Sequence, residues 1–122
     1  MKIHESGEMY LETILVLSKK KTNVRSIDIA DHMNFSKPSV SRAVNILKND
    51  GFIEIDPSGY ITLTDSGRAI AEKIYDRHNL ISKILVRLGV DEKTAVEDAC
   101  AIEHVISDES IEAIKKHVHA EA

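Results

Sequence analysis

The strongest local signals for the fold lie in residues 36–63. Residues 36–51 read SKPSVSRAVNILKNDG, and residues 52–63 read FIEIDPSGYITL. The first part predicts a helix, because Ser36 can cap it and Pro38 falls in the first turn, where a missing N–H costs nothing. Gly51 can close this helix in the left-handed conformation. Its apolar positions recur at spacings of three and four, and they are Val40, Ala43, Val44 and Leu47. The opposite face is hydroxylated and basic, so it is predicted to be exposed.

A shorter helical pattern precedes this segment and a hairpin follows it. Ser26 is the predicted cap of the shorter helix, which continues to Met33. Residues 52–55 and 60–63 are rich in β-forming residues, and the sequence DPSG between them is turn-forming. Two short helices followed at once by a hairpin predict a winged helix-turn-helix, whose second helix enters the major groove of DNA.

The rest of the chain is predicted to be helical, because it contains few helix breakers among its 122 residues. A first helix is expected over residues 5–20, and a long helix is expected from Thr64 to Gly89. Asp91 should cap the next helix, which is expected to run to about Ile106. A terminal helix should start at residues 107–108 and end near residue 118.

These elements predict a mainly α fold in two parts. A winged helix-turn-helix DNA-binding domain should occupy residues 1–66, and an all-helical domain should occupy residues 67–122. The isoleucine and leucine stripes of the second part exceed what one small lobe can bury. A homodimer that pairs through the C-terminal helices is therefore expected.

The net charge of −4 has the wrong sign for an indiscriminate nucleic-acid binder, so DNA binding requires a local basic face. On the second helix, Arg42 is the best candidate to read guanine, and Pro38 could pack on thymine methyl groups. The full set of predicted DNA contacts is Arg25, Ser36, Lys37, Pro38, Ser39, Ser41, Arg42 and Lys48. No membrane span or signal peptide is recognisable, so a cytoplasmic protein without a membrane partner is expected.

A second motif, Cys100-Ala101-Ile102-Glu103-His104, suggests metal chemistry. Positions i, i+3 and i+4 share one face of a helix, so a thiol, a carboxylate and an imidazole would point the same way. This mixture suits a first-row transition ion better than Ca²⁺ or Mg²⁺. The spacing alone leaves open a second interpretation, in which Cys100 is buried core and Glu103 and His104 are solvated surface.

Together these motifs resemble the diphtheria toxin repressor family of iron- and manganese-dependent regulators, which includes the manganese transport regulators. The matching segments are Glu8-Met9-Tyr10-Leu11, Ser36-Lys37-Pro38-Ser39-Val40-Ser41, Asp50-Gly51, Leu63-Thr64 and Glu103-His104. The resemblance implies a metal-dependent repressor that binds palindromic operator DNA and controls metal-uptake genes, with no small-molecule substrate. The metal ligands that it implies are Met9, Glu12, His78, Cys100, Glu103 and His104.

The implied ligand set is a hybrid. Iron-responsive members of the family resemble this chain at Met9 and Cys100, where manganese-responsive members have carboxylates. The manganese-responsive members resemble it at Glu12 and His78. Thioether and thiolate ligands favour Fe²⁺ over Mn²⁺, because Mn²⁺ prefers oxygen. Fe²⁺ is therefore expected first and Mn²⁺ next.

The resemblance is incomplete at a second, ancillary site. Iron-responsive members carry a carboxylate where Ser82 stands and a histidine near Val96. Longer members also add an SH3-like domain, which is not expected here because the sequence ends at Ala122.

Other functions remain open at this point. A winged-helix regulator could respond to an organic ligand, or oxidation of Cys100 could act as a switch. An enzyme is disfavoured, because the sequence has no glycine-rich phosphate loop and no nucleophile with an obvious base.

Overall fold

The structure is a computed structural model that describes residues 5–121, with side-chain surroundings for residues 6–118. The elements are α1 (Glu5–Lys20), α2 (Ser26–Met33), α3 (Lys37–Asn49), β1 (Ile53–Ile55), β2 (Ile61–Leu63), α4 (Asp65–Arg87), α5 (Glu92–Ile102) and α6 (Asp108–Glu121). This order confirms a mainly helical fold with a winged helix-turn-helix. The chain forms two compact units that divide after Glu72, within α4. The predicted domain boundary between residues 66 and 67 stays a prediction.

The first unit is built around α3, whose apolar stripe lies in the core. Val40, Val44 and Leu47 are buried, and α3 contacts α1, α2 and β1. The Ser36 side chain accepts a hydrogen bond from the Ser39 amide at 3.3 Å, which caps the helix as predicted. At the other end Gly51 has a φ of 84°, the left-handed conformation that favours glycine.

The start of α2 differs from the prediction by one residue. Arg25, not Ser26, is the N-cap, and its amide donates to the Asp28 carboxylate at 2.8 Å. Lys21 Nζ donates to the other oxygen of that carboxylate at 2.8 Å. The acid in the first turn thus accepts from the amide of the N-cap residue, as in a capping box.

The wing is a two-stranded antiparallel hairpin in which Ile53 pairs with Leu63 and Ile55 with Ile61. Its turn is held by the Asp56 carboxylate, which accepts from the amides of Ser58 and Tyr60, each at 2.9 Å. The Ile61 amide also donates to the carbonyl of Val24 at 2.7 Å. This bond fixes the wing beside the start of α2.

The first turn of α4 packs closely on the segment that follows α3. A Cβ added to Gly67 would come within 1.9 Å of the Phe52 carbonyl oxygen, so only glycine allows this approach. Thr64 Oγ1 accepts from the Gly67 amide at 3.2 Å and donates to the Gly51 carbonyl at 2.7 Å. The predicted threonine cap therefore also ties α4 to the end of α3.

The second unit consists of the remainder of α4 with α5 and α6. Its core is formed by Ile81, Ala99 and Ile111, with partly buried Leu80, Leu85, Ile102 and Ile106 packed against them. Asp91 caps α5, as predicted, by accepting from the Thr94 amide at 3.5 Å. Among the described residues, no helix is long and apolar enough to cross a membrane.

The end of α5 corrects the sequence prediction. The helix ends at Ile102 rather than near Ile106, and residues 103–106 form turns before α6 begins at Asp108. This turn is held by a group distant in sequence, since the Arg77 guanidinium on α4 donates to the carbonyls of Glu103 and Ile106. Glu103 and His104 therefore belong to the turn after α5, not to the helix itself.

Candidate metal centre and nucleic-acid interface

Four of the six predicted metal ligands converge in the second unit. His78 comes from α4, Cys100 from the last turn of α5, and Glu103 and His104 from the turn that follows. Each side chain approaches at least one of the others through an atom that can bind a metal. The structure thus brings together groups separated by more than twenty residues.

Glu103 is the centre of this cluster. The residue is fully buried, and its two carboxylate oxygens approach different imidazoles. Oε2 lies 2.9 Å from His78 Nδ1, and Oε1 lies 3.3 Å from His104 Nε2. A buried carboxylate requires compensation by positive charge or hydrogen bonds, and here two ring nitrogens are placed to provide it.

Cys100 occupies the exposed edge of the cluster. Its sulfur lies 3.7 Å from His78 Nδ1, and the residue is exposed to solvent. The alternative interpretation of the sequence required a buried cysteine and a solvated glutamate. The structure shows the reverse for both residues, so that interpretation is wrong.

The donor set fits a divalent transition cation. It offers one carboxylate, two imidazoles and one thiol, a combination of hard, borderline and soft ligands that suits Fe²⁺, Co²⁺ or Zn²⁺. Burial of the carboxylate and exposure of the sulfur leave the cluster accessible from one side.

Met9 and Glu12 belong to the first unit. They lie one turn apart on α1, and both are half-buried. Their assignment as ligands stays a prediction.

Ser82 and Val96 line an open groove next to His78, which Lys83, Arg87 and Glu92 also border. Neither an alcohol nor a valine is a strong ligand for a transition cation. The Ser82 hydroxyl is buried and has no hydrogen-bond partner within the part of the chain that the structure describes. The groove thus lacks the two side chains that an ancillary metal site has in the iron-responsive proteins that the sequence resembles.

The sequence patterns do not predict a role for Arg77. This arginine precedes His78 on α4 and is one of three polar or charged residues that are buried as whole residues among those described. From sequence it is indistinguishable from a surface charge on a helix, because its partners lie 26 and 29 residues away.

The exposed face of α3 has the charge that DNA binding requires. All eight predicted DNA contacts are exposed. No acidic residue occurs from residue 36 to residue 49, whereas Lys37, Arg42 and Lys48 are basic. Locally, therefore, the surface is positive although the whole chain is acidic.

Three of the predicted contacts, Arg25, Ser36 and Ser39, already have intramolecular partners. The Arg25 guanidinium lies 4.7 Å from the centre of the Tyr60 ring, a cation–π contact between the start of α2 and the wing. The Ser36 hydroxyl lies 2.8 Å from that of Ser39 and also caps α3. The DNA-binding roles of all eight residues stay predictions.

Comparison with known proteins identifies both halves of the chain. Residues 2–60 match the family model described as the iron-dependent repressor N-terminal DNA-binding domain. Residues 64–120 match the model of the iron-dependent repressor metal-binding and dimerisation domain.

Individual relatives agree with the family models. The chain is 38% identical over 113 residues to the uncharacterized HTH-type transcriptional regulator MJ0568 of Methanocaldococcus jannaschii. This match covers 91% of this chain and 90% of that protein. It is 33% identical over 106 residues to the diphtheria toxin repressor of Corynebacterium efficiens, covering 86% of this chain but 46% of that repressor. The solved structure of the manganese regulator SloR superposes with a TM-score of 0.83 at 29% identity, covering 98% of this chain and 55% of SloR.

The chain thus spans nearly the whole of one relative and about half the length of the other two. The family models together cover almost every residue from 2 to 120, and the winged helix-turn-helix and the ligand cluster lie in the halves to which they assign DNA binding and metal binding. The chain belongs to the iron-dependent repressor family of metal-dependent transcriptional regulators.

Proposed function

We propose that this protein is a transcriptional repressor that binds palindromic operator DNA when a divalent transition ion is bound, with Fe²⁺ preferred and Mn²⁺ next. The observation that carries the proposal is the buried Glu103 carboxylate placed between the imidazoles of His78 and His104, with the Cys100 sulfur at the edge. When bound, the ion supplies positive charge and coordination bonds to this cluster. Met9 and Glu12 of α1 complete the proposed ligand set.

The order of metals follows from the ligands. A cysteine sulfur 3.7 Å from His78 Nδ1 gives the site a soft donor, and a methionine on α1 would add another. Mn²⁺ binds oxygen ligands in preference to sulfur and stands at the weak end of the affinity series. The relatives include a manganese regulator as well as iron-dependent repressors, so both ions belong in the test.

The proposed regulation depends on how the residues of the chain restrain the DNA-reading helix. Met9 and Glu12 as ligands would tie α1 to the cluster on α4 and α5. Because α1 packs against α2 and α3 within the first unit, this restraint would reach the recognition helix. A repressor that is active only with metal bound would switch off the uptake of that metal when it is plentiful.

A homodimer is the proposed binding form. In the second unit, Val86, Leu88, Val96 and Val105 are large apolar residues that remain exposed, with Leu88 and Val105 each at 75%. Pairing with a second copy would bury such residues. Two copies would present two recognition helices, which bind half-sites about 34 Å apart, one turn of DNA.

The test measures DNA and metal binding together. Wild type, Glu103→Gln and the control Glu97→Gln, which changes an exposed carboxylate on α5, are titrated anaerobically with Fe²⁺ and Mn²⁺. The duplex is one selected from a random pool by the metal-loaded wild type. Metal should raise the DNA affinity of wild type and Glu97→Gln about 10- to 100-fold. The DNA affinity of Glu103→Gln should be the same with and without metal. Equal, metal-independent binding by wild type and Glu103→Gln would remove the proposal.

One observation favours a second candidate, a thiol switch, because Cys100 is exposed beside an imidazole nitrogen. The two functions differ in which residues they need. A thiol switch loses its response in Cys100→Ser and keeps it in His78→Ala, whereas a metal switch is impaired in both.

A further inference from the structure

Arg77 makes three polar contacts in the second unit but is not one of the proposed metal ligands. The residue is only 8% exposed. Nη1 donates to the carbonyl oxygens of Glu103 at 3.3 Å and Ile106 at 2.9 Å, and Nη2 donates to the Asp108 carboxylate. One guanidinium therefore binds the turn that follows α5 and the first residue of α6.

These contacts satisfy main-chain carbonyls just beyond the end of α5 at Ile102. Carbonyl groups at the end of a helix have no amide partner within it and must be satisfied elsewhere. The planar guanidinium presents its N–H groups in a fixed fork, so it can hold two carbonyls and a carboxylate at defined angles. Residues 103–106 are thereby held as a turn between two helices.

The same turn carries two of the proposed ligands, Glu103 and His104. Arg77 and His78 are consecutive on α4, and both contact Glu103. His78 approaches the side chain of Glu103, while Arg77 binds its main-chain carbonyl. A displacement of the turn would move the carboxylate and the His104 ring relative to His78.

We propose that Arg77 is the positioning residue of the metal centre, because it fixes the main chain from which Glu103 and His104 project without itself binding the ion. This inference rests on the proposed metal-binding function. Outer groups that orient metal ligands typically change metal affinity 10- to 100-fold when they are removed. Arg77 differs from most such groups in acting on the backbone of the ligands rather than on their ring nitrogens or oxygens.

Asp108 and Lys73 extend the arrangement outward. The Asp108 carboxylate is 72% exposed and lies 3.1 Å from Lys73 Nζ in addition to its contact with Arg77. It orients the guanidinium from the solvent side. A substitution at this exposed position should loosen Arg77 with little effect on the core.

The test uses Co²⁺ as the probe, because its visible spectrum reports coordination geometry and sulfur ligation. Metal-free wild type, Arg77→Lys and the control Arg87→Lys, an exposed arginine of α4, are compared by circular dichroism, Co²⁺ titration and the spectrum at saturating Co²⁺. Arg77→Lys keeps the charge but loses the fork. We expect Co²⁺ affinity to fall 10- to 100-fold with an altered spectrum, and Arg87→Lys to match wild type.

Asp108→Asn provides a second variant if Arg77→Lys does not fold. It should lower Co²⁺ affinity severalfold in the same direction. If Arg77→Lys folds and has the Co²⁺ affinity and spectrum of wild type, the role of Arg77 is overturned while the metal-binding function stands. If Arg77→Lys does not fold, the same result in Asp108→Asn overturns that role. Failure of wild type to bind Co²⁺, or binding that is unchanged in Glu103→Gln, would instead overturn the proposed function and this inference with it.

Discussion

At the scale of single residues, the chemistry depends most on Glu103, whose buried carboxylate separates two imidazoles. Placing an ionised carboxylate in a protein interior costs several kcal/mol unless partners offset it, so such a group is seldom kept for stability alone. The two imidazoles beside this carboxylate, those of His78 and His104, can each bind a transition ion. Burial and ligand chemistry together make this residue the best single probe of the site.

Arg42 is the corresponding probe of the DNA-reading surface. It is exposed on α3, and an arginine in this position can donate two hydrogen bonds to a guanine in the major groove. Arg42→Ala should weaken binding of the metal-loaded protein to its selected duplex by about 1–3 kcal/mol and relax the preference for one base pair.

Fluorescence anisotropy at several salt concentrations measures this effect, with Arg87→Ala as the control on another surface. A loss of affinity that is uniform over all sequences, with a shallower salt dependence, would show a phosphate contact instead of base reading. Unchanged affinity would exclude Arg42 from the interface.

The spacing of Cys100, Glu103 and His104 indicated a shared helix face, because it depends on local helical geometry that nearly persists into the turn, but it left open whether these side chains are metal ligands. Arg77 could not be predicted in this way. An arginine on a helix is usually solvated, and its burial here depends on carbonyl groups that only the tertiary structure brings near.

At the scale of elements, α3 and the wing were the most predictable parts, since capping, turn chemistry and apolar spacing all lie within the segments themselves. The end of α5 was not predictable, because apolar spacing continues through Ile106 and the guanidinium that holds the following turn comes from α4. The one-residue difference at α2 has a related cause. Arg25 takes the N-cap position that the sequence suggested for Ser26, and its amide donates to the Asp28 carboxylate.

The start of α2 gives a pH-dependent prediction. The hydrogen bond from Lys21, and then that from the Arg25 amide, hold the pKa of Asp28 below its ordinary value of 3.8. Stability from a lowered pKa is fully present above the unfolded value and is lost as the pH falls through the folded value. Asp28→Asn should therefore lower unfolding free energy by about 0.5–1 kcal/mol at neutral pH.

Urea unfolding of wild type and Asp28→Asn between pH 7 and pH 2 checks this prediction. The difference between them should be constant above about pH 5 and shrink as the pH falls below the ordinary aspartate pKa. Asp31→Asn, an exposed acid on the same helix, serves as the control. Parallel loss of stability by wild type and Asp28→Asn across the whole range would contradict the role given to Asp28.

At the scale of the whole molecule, the two halves of the chain have complementary tasks. The chain is acidic as a whole but has a basic surface on α3, while the buried Glu103 carboxylate and the soft donor Cys100 lie in the second unit. In the proposed function, α1 contributes ligands and also packs on the DNA-reading helix. Metal binding and DNA binding should then be thermodynamically coupled.

That coupling must be reciprocal. If metal strengthens DNA binding by a given factor, DNA must strengthen metal binding by the same factor, because both describe one thermodynamic cycle. Isothermal titration of Mn²⁺ into wild type, with and without saturating duplex, gives the factor by which DNA raises metal affinity. Counted per protomer, this factor should equal the factor by which Mn²⁺ raises DNA affinity. A duplex of scrambled sequence should give a smaller ratio, and Glu103→Gln should give none. The opposite result would be a DNA affinity that changes with Mn²⁺ while the Mn²⁺ affinity does not change with DNA. It would show that the ion acts through another route, such as association of the protein, rather than through a restraint on α3.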